Sequence, residues 1–192
     1  MKIEKPAESN GNSEGNEDRR ISMLLAELRT LLGRRMEDVQ SQWNRSLPFA
    51  DYIVDRWQKA RALGFGEGSS IYDSSLVIGS VIVGCNTWIG PFTVLDGSGG
   101  LKIGDNCSIS AGVQIYSHDT VEWAVSGGKT SAKYSEVKIG HHCYLGPNVV
   151  ITRGVIIGDC SIIGANSLVN RNIPANSKAW GCPARIISRS GV

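Results

Sequence analysis

The sequence lacks the features that mark a membrane-spanning or secreted chain. Its 192 residues contain no apolar run that approaches the ~20 residues needed to cross a bilayer. The N-terminus has no basic stretch followed by an apolar one, so we expect no signal peptide and no transmembrane segment. Lysine and arginine form no cluster, and a net charge of +2 indicates no nucleic-acid partner.

Cysteines are few and unpaired in the sequence. The five of them are odd in number and never form a CxxC pair, which argues against a disulfide framework and against a zinc knuckle. They are Cys85, Cys107, Cys143, Cys160 and Cys182. We therefore expect a reducing, cytoplasmic location for the chain.

Glycine, by contrast, is abundant and recurs at regular intervals. Nearly all of the 23 glycines follow residue 62, and from residue 71 the chain divides into hexads. These read IYDSSL, VIGSVI, VGCNTW, IGPFTV and LDGSGG, then, after Leu101 and Lys102, IGDNCS, ISAGVQ and IYSHDT; the register returns at residue 139 with IGHHCY, LGPNVV, ITRGVI, IGDCSI, IGANSL and VNRNIP. The first position is Ile, Leu or Val in all fourteen hexads, and glycine takes the second in seven.

A period of six fits neither an α-helix nor a simple alternating strand. It predicts a β-solenoid in which each hexad forms one short strand and one corner, with the aliphatic residue pointing inward. The repeats resemble those of the hexapeptide-repeat acyltransferases, above all in the C-terminal run IGANSLVNRNIPANSKAWGCPARII. The maltose/galactoside type and the polysaccharide O-acetyltransferases are the most similar groups. This resemblance implies a mainly β fold, a left-handed parallel β-helix with three hexads in each coil of 18 residues.

The predicted organisation has four parts. Residues 1–20 are polar and are predicted to form a disordered tail, because they offer little apolar surface to bury. Residues 21–64 form an N-terminal helical segment, with helices over 21–32 (ending at Gly33), 36–44 and 48–62. Residues 65–187 form the β-helix, with a loop insertion at 119–136, and residues 188–192 form a C-terminal tail.

The repeat stops at the stretch YSHDT, where the inserted loop begins directly after His118. Long loops within compact domains are commonly functional. In the resembling enzymes the corresponding loop walls an active site between subunits, and the histidine at its root is the catalytic base. The resemblance therefore implies that His118 is catalytic.

The chemistry of acyl transfer explains why a histidine would be needed. A thioester is already activated, but a hydroxyl is a weak nucleophile, and a neutral imidazole can accept its proton during attack and return it to the leaving thiolate. The ring needs an orienting partner, for which Asp119, Glu122, Glu136 and a backbone carbonyl are candidates. A nucleophilic triad of Ser117, His118 and Asp119 is disfavoured, because adjacent residues rarely point at one another and no GxSxG motif is present.

The resemblance also implies sites for both substrates. Coenzyme A would lie along the solenoid, against the positions Pro147, Ala165, Asn170, Arg171 and Arg185, with Lys178 as a further candidate for its phosphates. The family often has Ser at the Pro147 position and Thr-Lys at the Asn170–Arg171 positions. Asp96 matches a position that bonds the acceptor sugar, and a capping aspartate at a turn is the alternative. The aromatic residues Trp88, Tyr116 and Trp123 are candidates for sugar contacts or for packing.

A metal site is not expected. His141 and His142 lie together in one hexad turn, and their spacing from His118 does not match the three-histidine zinc site of the carbonic anhydrases that share this β-helix. We interpret them as exposed corner residues.

These observations predict an acetyl-CoA-dependent O-acetyltransferase that acts on a sugar or polysaccharide precursor by direct transfer, with acetyl-CoA as the acyl donor. The resemblance implies a homotrimer. N-acetylation of a nucleotide-linked amino sugar is the alternative reaction, and a non-catalytic β-helix scaffold is the alternative class.

Overall fold

A computed structural model describes residues 11–189, in two compact units that are treated separately, one up to Ile53 and the other from Val54. The first unit contains helices α1 (Gly11–Trp43) and α2 (Phe49–Ile53). Helix α3 (Arg56–Ala62) belongs to the second unit, and α4 (Val121–Val125) lies within the inserted loop. Within the described part of the chain, no helix is both long and apolar enough to cross a membrane.

Helix α1 differs from the sequence prediction at both of its predicted limits. It begins at Gly11, ten residues before the predicted helix and within the predicted disordered tail, and residues 1–10 lie outside the described part. Once the apolar segment has nucleated a helix, each further residue adds at little cost, and acidic residues such as Glu17 and Asp18 suit its N-terminal turns. The helix also runs through Gly33, where glycine costs only about 1 kcal/mol relative to alanine.

The predicted helix over 48–62 is divided into α2 and α3. Asp55 separates them and caps α3, because its carboxylate accepts a 2.7 Å hydrogen bond from the Gln58 amide. Helix α1 ends before Asn44, whose φ of 50° is the left-handed conformation common after helix C-termini.

The rest of the described chain contains sixteen strands joined by turns. They are β1 (Ser70–Ile71), β2 (Leu76–Val83), β3 (Trp88–Ile89), β4 (Val94–Ile103), β5 (Ser108–Ile109), β6 (Gln114–Tyr116), β7 (His118–Asp119), β8 (Lys133–Tyr134), β9 (Val137–Ile139), β10 (Tyr144–Leu145), β11 (Val150–Ile151), β12 (Ile156–Ile157), β13 (Ile162–Ile163), β14 (Leu168–Val169), β15 (Ser177–Gly181) and β16 (Ala184–Arg189). The fold is a left-handed parallel β-helix with an N-terminal helical segment, as predicted.

The strand register reproduces the hexad count. Tyr144 pairs with Ile162 and Val150 with Leu168, each 18 residues apart and each in a parallel pair. The pairing of Tyr144 with Ser108 spans 36 residues, because the inserted loop occupies the additional length. Three hexads therefore make one coil, and the insertion leaves the stacking of coils undisturbed.

The core lies on the axis of the solenoid. The first residue of every hexad except Val77 is buried, and most are fully enclosed, as Ile71, Ile89, Ile109, Ile151 and Ile163 are. Small or β-branched side chains at the fifth position, among them Thr87, Cys107 and Ser161, fill the remaining interior. The coils are therefore rigid stacks, and the side chains at their corners face outward at fixed intervals.

The inserted loop leaves the solenoid as a two-stranded hairpin. Strands β7 and β8 pair antiparallel, with His118 opposite Tyr134 and Asp119 opposite Lys133. Helix α4 forms the far part of the loop, and the solenoid resumes at β9.

Candidate active site

Asp96 and His118 meet at one corner of the solenoid. Strand β4 pairs in parallel with β6, so that Asp96 lies beside Tyr116 in the next coil and His118 follows just past the strand end. The Asp96 Oδ2 atom lies 2.5 Å from Nδ1 of His118. The two residues that the resemblance assigned to acceptor and base therefore contact each other directly.

Asp96 is enclosed and fully hydrogen-bonded. Its side chain is 1% exposed. Its Oδ1 atom accepts hydrogen bonds from the amide and the hydroxyl of Ser98, at 2.9 and 2.5 Å, and Oδ2 accepts one from the Ser117 amide at 3.1 Å. Burial alone raises the pKa of Asp96, but the bonds from Ser98, His118 and Ser117 outweigh it and lower the pKa to about 2. Asp96 is therefore an ionised hydrogen-bond acceptor at neutral pH.

The ionised carboxylate determines which nitrogen of His118 carries a proton. A carboxylate only accepts hydrogen bonds, so Nδ1 of the imidazole must donate, and Nε2 of the neutral ring is left with a lone pair. The His118 side chain is 33% exposed, which leaves it accessible from solvent. The pair has the arrangement of a general base with an orienting acid.

The acids that were candidates for orienting His118 are engaged elsewhere. Asp119 forms an ion pair with Arg153, and Glu122 with Lys133. Glu136 accepts from Lys102 at 2.8 Å and from Lys138 at 3.0 Å. The acid that contacts the imidazole is Asp96 instead, and its carboxylate is almost fully enclosed.

Tyr134 completes the surroundings of His118. Its ring stacks on the imidazole, with 5.7 Å between ring centroids and an angle of 19° between planes. Tyr134 and Ser98 were not predicted from the sequence. The hairpin register places Tyr134 opposite His118, and the corner geometry brings Ser98 to Asp96, and no local motif signals either contact.

The predicted coenzyme positions are all exposed, at three places on the solenoid. Pro147 and Ala165 occupy the same corner in successive coils, where the Asn166 amide donates to the Pro147 carbonyl at 2.9 Å. Asn170 and Arg171 follow β14, at the corner of His118 but two coils further along. Arg185 lies on β16, opposite Trp180.

The other candidates have structural partners or lie apart. Trp88 packs edge-on against Tyr72, with ring centroids 6.4 Å apart, and Tyr116 donates a hydrogen bond to Gln114. Trp123 is exposed on α4. His141 accepts a hydrogen bond from the Asp105 amide at a different corner. Within residues 11–189, no group of three histidine, cysteine or acidic side chains is placed to hold a metal ion.

Two family models match the solenoid. The bacterial transferase hexapeptide model (six repeats) matches residues 136–171, and the hexapeptide repeat of succinyl-transferase matches residues 80–117. Galactoside O-acetyltransferase of Escherichia coli K12 is 32% identical over 125 residues, which are 55% of this chain and 62% of that protein. The chain thus spans less than two thirds of the length of this relative.

Solved structures show the same architecture. A maltose O-acetyltransferase from Clostridium difficile 630 is 27% identical and superposes with a TM-score of 0.57 over 86% of this chain and 89% of its own. AntD, an N-acyltransferase from Bacillus cereus in complex with dTDP and 3-hydroxybutyryl-CoA, shares the fold at 24% identity, with a TM-score of 0.60 over 66% of this chain and 72% of its own. The predicted resemblance to hexapeptide-repeat acyltransferases is confirmed.

Proposed function

We propose that this hexapeptide-repeat protein is an acetyl-CoA-dependent O-acetyltransferase that acts on a sugar or polysaccharide precursor. The observation that carries the proposal is the pair of Asp96 and His118 at the root of the inserted loop. It supplies a proton acceptor at a solvent-accessible corner, which is what attack of a hydroxyl on a thioester requires. The galactoside and maltose O-acetyltransferases among the similar proteins support this reaction class.

The transfer proceeds directly between the two substrates. Nε2 of His118 accepts the hydroxyl proton as the acceptor oxygen bonds to the thioester carbon, and Asp96 stabilises the imidazolium through Nδ1. The carbon–sulfur bond then breaks, and the imidazolium returns the proton to the leaving thiolate. The products are an acetyl ester and coenzyme A, and His118 is regenerated. In this scheme Asp96 is a positioning residue for His118. This role replaces the one predicted from the sequence, in which Asp96 contacts the acceptor sugar.

Coenzyme A is proposed to bind along the exposed corner of Pro147 and Ala165, with Arg185 and, from a facing subunit, Asn170 and Arg171 toward its phosphates. The guanidinium groups of Arg171 and Arg185 are suited to phosphate oxygens. In one chain, the Pro147 corner and the His118 corner lie at opposite ends of the stacked strands β6, β11 and β14. A trimer, in which the coenzyme corner of one subunit faces His118 of the next, would bring the two together.

The test is turnover of acetyl-CoA with a panel of sugars that carry free hydroxyl or amino groups. Cys85, Cys160 and Cys182 are exposed and would react with thiol reagents, so released coenzyme A should be separated by chromatography. We expect hydroxyl acceptors to be acetylated, and His118→Ala to lower kcat by about 10²–10⁴-fold. His142→Asn, which removes an exposed histidine at another corner, is the matched control and should keep full activity.

The outcomes separate the three candidate functions. Transfer to amino sugars on nucleotide carriers, with none to hydroxyl groups, would establish the N-acetyltransferase alternative, since the same base can serve an amine. Absence of both turnover and coenzyme binding would favour a scaffold. Full activity in His118→Ala would refute the mechanism.

A further inference from the structure

We propose that Tyr134 is a positioning residue that holds the imidazole plane of His118 in its working orientation, a role that rests on the proposed function of His118 as the base. Tyr134 belongs to the inserted loop, 16 residues after His118 in the sequence. The loop therefore has a part in setting the geometry of the base, in addition to any contact with substrates.

The two rings meet because of the hairpin register. His118 and Tyr134 are directly opposite each other in the antiparallel pair of β7 and β8. Opposed residues in such a pair place their side chains on the same face, with Cβ atoms roughly 4.5–5.5 Å apart. The rings are consequently stacked, with a centroid distance of 5.7 Å and an interplanar angle of 19°.

His118 needs a second contact because Asp96 holds only one edge of its ring. A single hydrogen bond at Nδ1 allows the imidazole to pivot about that bond. Tyr134 covers one face of the ring, so that the edge contact and the face contact together define its plane and leave Nε2 open. When Nε2 takes a proton, the electron-rich face of the tyrosine also favours the resulting cation.

Tyr134 reaches His118 because the loop returns across Gly99. The Ser135 amide donates to the Ser117 carbonyl at 2.8 Å, and the Gly99 amide donates to the Ser117 hydroxyl at 2.7 Å. A Cβ atom at Gly99 would lie 2.4 Å from the Ser117 carbonyl oxygen and 2.8 Å from the Ser135 amide nitrogen. Both atoms belong to the backbone, so a side chain at Gly99 would displace the strand that carries Tyr134.

The outgoing strand of the loop is anchored as well. Asp119 forms an ion pair with Arg153, which lies at the same corner one coil further along. This bond holds the pKa of Asp119 below its usual value. The hairpin is thus attached to the solenoid on both sides of the His118–Tyr134 contact.

The experiment compares Tyr134→Ala, Tyr134→Phe and Gly99→Ala with the wild-type chain. We expect Tyr134→Ala to lower kcat by about tenfold, which is the rate factor that corresponds to the energy of one stacked aromatic contact. KM for acetyl-CoA should stay unchanged. Tyr134→Phe keeps the ring and should retain wild-type kcat, whereas Gly99→Ala should lose activity as Tyr134→Ala does. Val125→Ala, in the same loop and 80% exposed, is the matched control.

A second readout does not depend on turnover. In proton NMR spectra the imidazole signals of His118 are identified by their absence in His118→Ala, and only three histidines contribute. Loss of the ring current in Tyr134→Ala should move the His118 ring protons downfield, while those of His141 and His142 stay in place. Unmoved His118 signals, an unchanged kcat in Tyr134→Ala, or a Tyr134→Phe variant as impaired as Tyr134→Ala would overturn the role. A wild-type chain without turnover would refute the proposed function instead.

Discussion

The substitution Asp96→Asn tests the pairing of Asp96 with His118 most directly, because it removes one charge and keeps the shape of the side chain. Both carboxylate oxygens accept hydrogen bonds, from Ser98 on one side and from Ser117 and His118 on the other. An asparagine amide has one oxygen and one NH₂ group. Whichever way it turns, its NH₂ group faces a backbone N–H donor, of Ser98 or of Ser117.

The expected losses of folding stability and of kcat follow from this geometry. The lowering of the Asp96 pKa from 3.8 to about 2 corresponds to roughly 2 kcal/mol of folding stability at neutral pH, at ~1.4 kcal/mol per pKa unit. The variant should lose about that much stability. An NH₂ group facing Nδ1 of His118 would also hold the imidazole proton on Nε2, so that Nε2 could not accept a proton from the substrate. We therefore expect kcat to fall by ~10²–10⁴-fold.

Two measurements check this prediction. Urea denaturation at pH 7 measures the free energy of unfolding, and steady-state kinetics with varied acetyl-CoA separate kcat from KM. Asp105→Asn is the matched control, because the Asp105 carboxylate also accepts a backbone hydrogen bond, from Cys85 at 2.7 Å, but at a corner away from His118. If kcat of Asp96→Asn stayed within about threefold of wild type, the base would not depend on this carboxylate.

Two further predictions concern stability. Phe92→Asn should raise Tm by about 2–4 °C, because a left-handed conformation costs phenylalanine ~1 kcal/mol more than asparagine; Phe92 has φ 59° and is exposed, and a thermal melt with no rise would contradict this. The stabilisation from Asp96 should be fully present above its unfolded-state pKa of about 3.8 and be lost as the pH falls toward its folded-state pKa of about 2, because folding lowers that pKa. Denaturation at several pH values should then show that the free energy of unfolding falls less at acid pH in Asp96→Asn than in wild type. Equal falls in the two proteins would count against the lowered pKa.

The solenoid could be predicted from the sequence because each coil is specified by a short local pattern that repeats along the chain. An aliphatic residue at every sixth position has only the interior to occupy, and the register of 18 follows once three hexads close a coil. The inserted loop was recognisable for the same reason, as the stretch where the pattern stops. The extent of α1 was not, because helix propagation into a polar segment depends on its neighbours and not on burial.

The contact between Asp96 and His118 could not be predicted because the separation of the two residues in the sequence matches no regular spacing of the coils. Residues one coil apart are ordinarily separated by 18, but Asp96 and His118 are 22 apart. Two of these residues are extra residues within 98–100, where the pairing of β2 with β4 shifts from 18 apart (Gly79 with Gly97) to 20 apart (Val81 with Leu101). The remaining two reflect a diagonal contact, because Asp96 on β4 pairs with Tyr116 but its side chain reaches His118 two residues further on, and only side-chain geometry determines this contact.

The same geometry explains why the proposed base lies at one corner of a repetitive solenoid. Along the stack of β6, β11 and β14, the positions just past the strand ends are equivalent in backbone. At the two later coils Arg153 and Arg171 stand at the position of Ser117, and Gly154 and Asn172 at the position of His118, so neither coil repeats the histidine. The insertion adds a further difference, because its returning strand brings the ring of Tyr134 onto His118. The proposed site therefore combines a buried acid from one coil with a loop inserted after the next.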